Sequence, residues 1–248
     1  MNSIITQKDI VSGLRDLGIE PGMDLEVHSS LKSFGHVEGG AGTVIAALKE
    51  AVGADGSIFM PSLRLSSAYV LSPEDRHLGI TCKIKILPPD EQHSAMGAIA
   101  DTFRQMPDVK TGDGVFRVSA WGKHGNEVKN GFQYLLDHGG KGLLLGVDIY
   151  KLTAMHYVED LLPQRIRDIL KPSEEVNRLY PPEEWFVECG EPPVKAWYAI
   201  QNAAYEKGLI KDGMIGNCKC MFFPLREVVG LYREALKNDP CKLYGIKS

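Results

Sequence analysis

No apolar run in this 248-residue chain approaches the ~20 residues that a membrane helix needs. The opening residues, Met-Asn-Ser-Ile-Ile-Thr-Gln-Lys-Asp, lack the basic start and apolar stretch of a signal peptide, so a cytoplasmic location is expected. Lysine runs and basic stripes are missing as well. The 28 Lys and Arg stand against 32 Asp and Glu, a net charge of −4, which argues against nucleic acid as a partner. Cysteine is scarce: five scattered positions (82, 189, 218, 220 and 241), an odd number without an export signal, point to free thiols rather than disulfides. Cys218-Lys-Cys220 would put two sulfurs on one strand face, but no second pair accompanies it, so a buried apolar role is expected and no metal site. Internal repeats and low-complexity tracts are also absent.

What is present is an alternation of strand and helix patterns, with 44% hydrophobic and 24% charged residues, enough to bury a real core. A helix near 7–18 carries Ile10, Leu14 and Leu17 at helical spacing and stops at Gly18. The strand 25–30, a glycine-rich loop, a helix over 41–52 and a strand over 57–61 form a β-loop-α-β unit of the kind that builds parallel sheets. Residues 62–93 show little periodicity and read as a substrate-facing flap. A helix at 95–105, strands at 115–119 and 142–147, a helix at 195–207, a strand at 214–222 and a helix at 225–237 complete the pattern. The prolines after Glu159 suggest a C-terminal α/β subdomain from about 185 to 248 within a single domain.

The segment Thr153-Ala-Met-His156-Tyr-Val-Glu159 sets a hydroxyl, an imidazole and a carboxylate at three-residue steps, close to one face of a helix. In that arrangement Glu159 can fix the tautomer of His156 and stabilise it once protonated, as a general base requires. The segment follows a buried strand, where α/β folds place their sites. On spacing alone, a His-x-x-Glu pair is more often an ordinary solvated helix-surface pair than a catalytic one. Likewise, the loop from His28 to Thr43 offers small residues and a helix N-terminus to an anion, or else serves only as a tight turn. His28 itself reads either as a ligand contact or as a satisfied core histidine.

Leu25-Glu-Val-His-Ser-Ser-Leu-Lys-Ser-Phe-Gly-His-Val-Glu-Gly-Gly-Ala-Gly-Thr43 with Gly53-Ala-Asp-Gly-Ser-Ile-Phe-Met-Pro61 resembles the N-terminal signature of the aminoglycoside 3-N-acetyltransferases, the antibiotic N-acetyltransferase family. Met96-Gly97, Phe103-Arg104, Ala120-Trp-Gly122, the 143–147 strand, the 153–159 segment and Gly213-Met-Ile-Gly-Asn-Cys-Lys-Cys220 follow in the family's order. The resemblance implies a three-layer αβα sandwich with a largely parallel central sheet, distinct from the Gcn5-type fold, and acetyl-coenzyme A as cosubstrate without a metal. It implies His156 as base and Glu159 as its partner. Coenzyme contacts would come from His28, Ser29, Ser30, Leu31, Lys32, Gly35, Val37, Gly40, Thr43, Lys110 and Thr111, and acceptor contacts from Asp148 and Thr153. The expected partners are a small-molecule amine and coenzyme A, with a homodimer as the assembly to test and no nucleic acid or membrane.

Two departures bear on the acceptor. Lys110-Thr-Gly-Asp-Gly114 stands where antibiotic-modifying members carry Arg-Ser-any-His-Pro, and Asn130-Gly-Phe-Gln-Tyr134 replaces their Gly-Glu-Gly/Glu-Ser-Pro. The basic and acidic residues of 62–93 balance, while 148–191 holds ten carboxylates against five Lys and Arg. That excess attracts an amine or is merely solvated surface. The expected function is N-acetylation of an aminoglycoside-like or smaller amine, with weak activity on bulky polycations. The alternatives are a coenzyme A-binding member that does not acetylate aminoglycosides and, from another class, a metal-dependent hydrolase, which the lack of any His-x-x-x-His pair with His156 disfavours.

Overall fold

The computed structural model describes residues 4–190 and 194–246. Its strands are β1 (Asp24–Ser29), β2 (Ser57–Pro61), β3 (Ile80–Lys85), β4 (Lys110–Thr111), β5 (Val118–Gly122), β6 (Lys141–Leu145), β7 (Trp185–Cys189), β8 (Lys211–Ile215) and β9 (Cys218–Pro224). Its helices are α1 (Gln7–Leu17), α2 (Gly40–Val52), α3 (Pro73–His77), α4 (Gly97–Arg104), α5 (Gln133–Asp137), α6 (Gln164–Leu170), α7 (Glu174–Leu179), α8 (Val194–Glu206), α9 (Leu225–Asn238) and α10 (Pro240–Leu243). No described helix is long and apolar enough to cross a membrane.

Seven strands form the central sheet in the order β4-β5-β2-β1-β6-β9-β8. Its middle, β2-β1-β6, is parallel, and the flanks pair antiparallel. The parallel centre follows from the chain's chemistry. Val44, Ile45, Leu48 and Val52 give α2 one apolar face, which buries in the core with β1 and β2 and returns the chain so that β2 lies parallel beside β1. α1, α2 and α4 cover one face of the sheet; α5, α8, α9 and the segment 153–161 cover the other, which gives three layers. α1 is fixed by a reciprocal cap between Thr6 and Asp9 at its start and by Gly18 in the left-handed region at its end.

Four sequence expectations are corrected. The stretch read as one strand over 214–222 is the β8–β9 hairpin, because Gly216 at φ +59 with Asn217 turns the chain back. The strand read at 115–119 runs over 118–122 instead, paired with β2. The 62–93 flap is not structureless: it holds α3 and β3, and β3 pairs antiparallel with the distant β7 in a second, two-stranded sheet. The region after 185 is threaded through the whole molecule, with β7 in the small sheet and β9 and β8 completing the large one.

Buried chemistry holds the small sheet in place. Asp75, 1% exposed, accepts hydrogen bonds from Lys83 (2.7 Å) and Tyr180 (2.6 Å), joining α3, β3 and the end of α7. The Lys83 ammonium holds the Asp75 carboxyl well below the usual carboxylate range, and the Tyr180 hydroxyl adds to this.

Candidate active site

A cavity of ≈ 320 Å³ lies between the carboxyl ends of the parallel strands and the β3–β7 sheet. Ser29, Pro61, Val147, Thr153 and His156 line the side of the large sheet; Cys82, Ile84, Phe186 and Glu188 line the opposite wall. Open α/β sheets bind ligands at this end because strand termini and loop amides converge there.

His156 sits on a 3₁₀ helix spanning Thr153–Leu161, not on an α-helix. At three residues per turn, side chains at i and i+3 eclipse, so Thr153, His156 and Glu159 stack more directly than an α-helix would allow. The His156 Nδ1 lies 2.7 Å from Glu159 Oε2. The side chain is 51% exposed, and it opens onto the cavity while packing edge-on against Trp197 at 4.8 Å. Burial of the ring pushes its pKa down, but the Glu159 hydrogen bond and charge, with the more distant carboxylates of Glu188 and Glu26, outweigh that and leave it raised. Behind Glu159, the Tyr232 hydroxyl reaches Oε1 at 3.4 Å and pairs with the Tyr244 hydroxyl at 2.6 Å. Burial and the nearby Glu159 charge raise both phenols, Tyr244 to about 12, so they stay neutral.

The N-terminus of this 3₁₀ segment has no local cap; β1 supplies one. Alternation puts Glu26 and His28 on one face of that strand. The Ala154 amide donates to Glu26 Oε1 at 3.1 Å, and the Thr153 amide points at His28 Nε2 at 3.3 Å. His28 Nε2 lies 2.8 Å from the same Glu26 oxygen. A fully buried carboxylate at a helix N-terminus is favoured by the exposed amide dipoles there. The signal for Glu26 in the sequence is a carboxylate between the apolar Leu25 and Val27, two residues from His28.

Glu188 was missed as well. It stands on β7 beside Cys82 of β3, faces the cavity, and has a raised pKa because burial opposes its charge more than the His156 field supports it. Its distance in sequence from His156 hid it, although it belongs to the acidic stretch noted above.

The family model described as aminoglycoside 3-N-acetyltransferase matches residues 27–237. The chain belongs to this family. With that membership it is an acyltransferase. It is 31% identical to the SPbeta prophage-derived aminoglycoside N(3′)-acetyltransferase-like protein YokD of Bacillus subtilis, over 96% of this chain and 94% of that protein. Among solved structures, a mutant of aminoglycoside acetyltransferase AAC(3)-IVa in complex with gentamicin superposes with a TM-score of 0.73 at 22% identity, covering 100% of this chain and 96% of that one. AAC-IIIb, solved as a binary complex with CoASH, has a TM-score of 0.68 at 18% identity and covers 95% of this chain and 97% of that one. Both share the fold.

The residues that the aminoglycoside 3-N-acetyltransferase resemblance marks for coenzyme fall into three groups. Ser29 ends β1, and Ser30, Leu31, Lys32 and Gly35 follow it in order, with Leu31–Phe34 forming a 3₁₀ turn. Gly39 opens α2 in the left-handed region with no side-chain cap; the Gly40 amide donates to the Val37 carbonyl at 3.1 Å, and the next amides of the first turn, those of Ala41 and Gly42, have no intrahelical partner. Gly40 also has positive φ, and a Cβ there would meet nothing within 4 Å. These open amides fit a phosphate. Val37 differs: its side chain is buried in the core behind a bridge to Ile5, so only its backbone can face a ligand.

Lys110 and Thr111 stand apart on edge strand β4. Lys110 bonds Asn126, and Thr111 joins a hydroxyl chain through Ser119 (2.8 Å) to Ser62 (2.6 Å). Neither lines the cavity. Of the two residues expected at the acceptor, Thr153 lines the cavity. Asp148 does not: it caps the 149–151 turn and accepts from the Tyr198 hydroxyl at 2.9 Å. Cys218 and Cys220 are buried, with sulfurs 3.9 Å apart.

Proposed function

We propose that the protein is an acetyl-coenzyme A-dependent N-acetyltransferase that acts by direct transfer to a small amine. The observation that carries this reading is the His156–Glu159 pair: with Nδ1 committed to Glu159, Nε2 remains for the acceptor amine in the cavity. His156 takes the proton that the amine loses as its nitrogen forms a bond to the acyl carbon. Glu159 stabilises the resulting imidazolium, and the leaving sulfur departs as the thioester bond breaks. Bound acetyl-coenzyme A supplies the activated acyl group. Its phosphates fit the open amides at the start of α2, with Ser29, Ser30, Gly35, Gly40 and Thr43 as contacts, and AAC-IIIb with CoASH is a structural precedent of the same fold.

Glu188 faces the acceptor amine from the opposite wall and attracts it by its charge. A cavity of ≈ 320 Å³ lies at the small end of ligand pockets, about 300–1,000 Å³. Among the residues that line the cavity Glu188 is the one carboxylate, which suits an amine of low charge better than a polycation. Thiol release from acetyl-coenzyme A, measured over a panel from simple amines to gentamicin-type compounds, tests the reading. The expected result is turnover on a small amine that His156→Ala lowers by at least ~100-fold. Undiminished turnover in that variant removes the base assignment, and faster reaction with gentamicin than with any small amine removes the acceptor assignment.

A further inference from the structure

Beyond the strands proper, the β2–β5 pairing continues for two more steps: the Ser62 amide donates to the Arg117 carbonyl at 2.9 Å, and the Arg64 amide donates to the Val115 carbonyl at 2.8 Å. In such a ladder, alternate side chains share a face, so Ser62, Arg64 and Arg117 project together toward the layer of α4. Arg104 closes that helix. Each guanidinium is held along one edge by backbone oxygens. Arg64 Nε donates to the Leu87 carbonyl (2.8 Å), Arg117 Nε to the Ser62 carbonyl (3.1 Å), and Arg104 Nη2 to the carbonyls of Glu91 (2.7 Å) and Gln92 (3.1 Å). These tethers leave both terminal nitrogens of Arg64 and Arg117 without partners among the described residues.

Countercharge is almost lacking. Arg64 and Arg117 have no carboxylate within ion-pair distance among the described residues. The carboxylate nearest Arg104 is Asp101 at 3.9 Å, and its oxygens are already taken by the amide and hydroxyl of Ser94, both at 2.7 Å. The Arg117 guanidinium is weakened by its own burial and by repulsion from Arg104 and Arg64, which agrees with their convergence. A fold that gathers three arginines, orients each through a carbonyl and provides no free acid is complementary to a multiply charged oxyanion.

We propose that Arg64, Arg104 and Arg117, beside the Ser62–Ser119–Thr111 hydroxyl chain, form a binding site for a phosphate-type anion. Leu63 and Leu65, the neighbours of Arg64, line the acyl-transfer cavity, so the 62–65 segment has an anion site on one face and the reaction site on the other. Two sources offer that chemistry: a phosphate of the coenzyme, or a phosphate that arrives independently, free or on the acceptor. The coenzyme source rests on the acetyl-transfer reading; the anion site does not.

The test compares the wild-type protein with Arg64→Gln, Arg117→Gln and the charge-keeping Arg117→Lys, each checked for fold by circular dichroism. Inorganic phosphate and coenzyme A are titrated by calorimetry at ionic strength held constant with sodium chloride. The site predicts that wild type binds phosphate and that each Gln variant binds it at least ~10-fold more weakly, the size of one lost charge-assisted bond. Arg117→Lys keeps part of the affinity. If the coenzyme supplies the anion, phosphate competes with coenzyme A and the Gln variants lose coenzyme affinity by a similar factor. If the phosphate comes independently, coenzyme affinity is unchanged and the two ligands bind together. Phosphate binding without any coenzyme binding keeps the site and removes the acetyl-transfer reading. Equal phosphate affinity in wild type and both Gln variants, or none in wild type, overturns the proposal.

Discussion

Replacing Glu159 with Gln isolates the electrostatic part of the candidate base. The amide keeps an oxygen near His156 Nδ1, which now sits 2.7 Å from the carboxylate, and removes only the charge. Two unit charges about 4 Å apart interact by ~1 kcal/mol in water and ~4 kcal/mol near a protein surface. The imidazole is half exposed to the cavity, so screening places the value toward the lower limit, roughly 1–2 kcal/mol. The sign follows from the raised pKa of His156: the carboxylate favours imidazolium, so its loss moves the titration midpoint down, and burial carries it further the same way. Proton NMR titration of the His156 ring, assigned by its absence in His156→Ala, reads this directly and needs no acceptor. In kinetics, the acidic limb of kcat/KM moves to lower pH while the plateau falls, because a weaker base abstracts less effectively. An unchanged midpoint would show that Glu159 does not set the charge state of His156.

Two further outcomes are expected. Gly40→Val forces a β-branched residue to φ near +61 and fills open space at the start of α2, so it weakens coenzyme A binding in calorimetry; equal affinity in a folded variant moves the phosphate contact elsewhere. Asp75→Asn leaves Lys83 without its buried partner and lowers stability at pH 7 by ~3–5 kcal/mol in denaturant unfolding. Because the Asp75 pKa is depressed in the fold, the wild-type advantage is full above the unfolded value near ~4 and fades as pH falls below it; a pH-independent difference refutes the charge pairing.

The sequence announced features whose determinants are local. Helical spacing exposed α1, α2 and α9, with Gly18 marking the end of the first, and the step of three exposed His156 and Glu159 even though the segment is 3₁₀ rather than α. Pairings between distant segments were illegible. β3 has weak alternation of its own and exists because β7 lies beside it, so both the flap's order and the place of Glu188 stayed hidden. The β8–β9 turn was lost because Met214-Ile-Gly-Asn-Cys218 continues an apolar alternation through its glycine. Lys110 and Thr111 were placed by motif distance, which does not report on which side of the sheet edge a side chain emerges.

The β3–β7 ladder joins residues about a hundred positions apart, and it forms one wall of the reaction cleft. During synthesis, the parallel core from β1 to β6 can collapse while that wall is still one-sided, since β7 is made last among its parts. Closing so long a loop is entropically costly and slow relative to local helix formation. A nascent chain halted before residue 185 would carry the His156–Glu159 pair beside the parallel centre of the sheet, without the wall of β7 and without the Trp197 and Tyr232 rings that back the pair, a dyad without a room. The final 64 residues therefore decide when the protein becomes an enzyme as much as how stable it is.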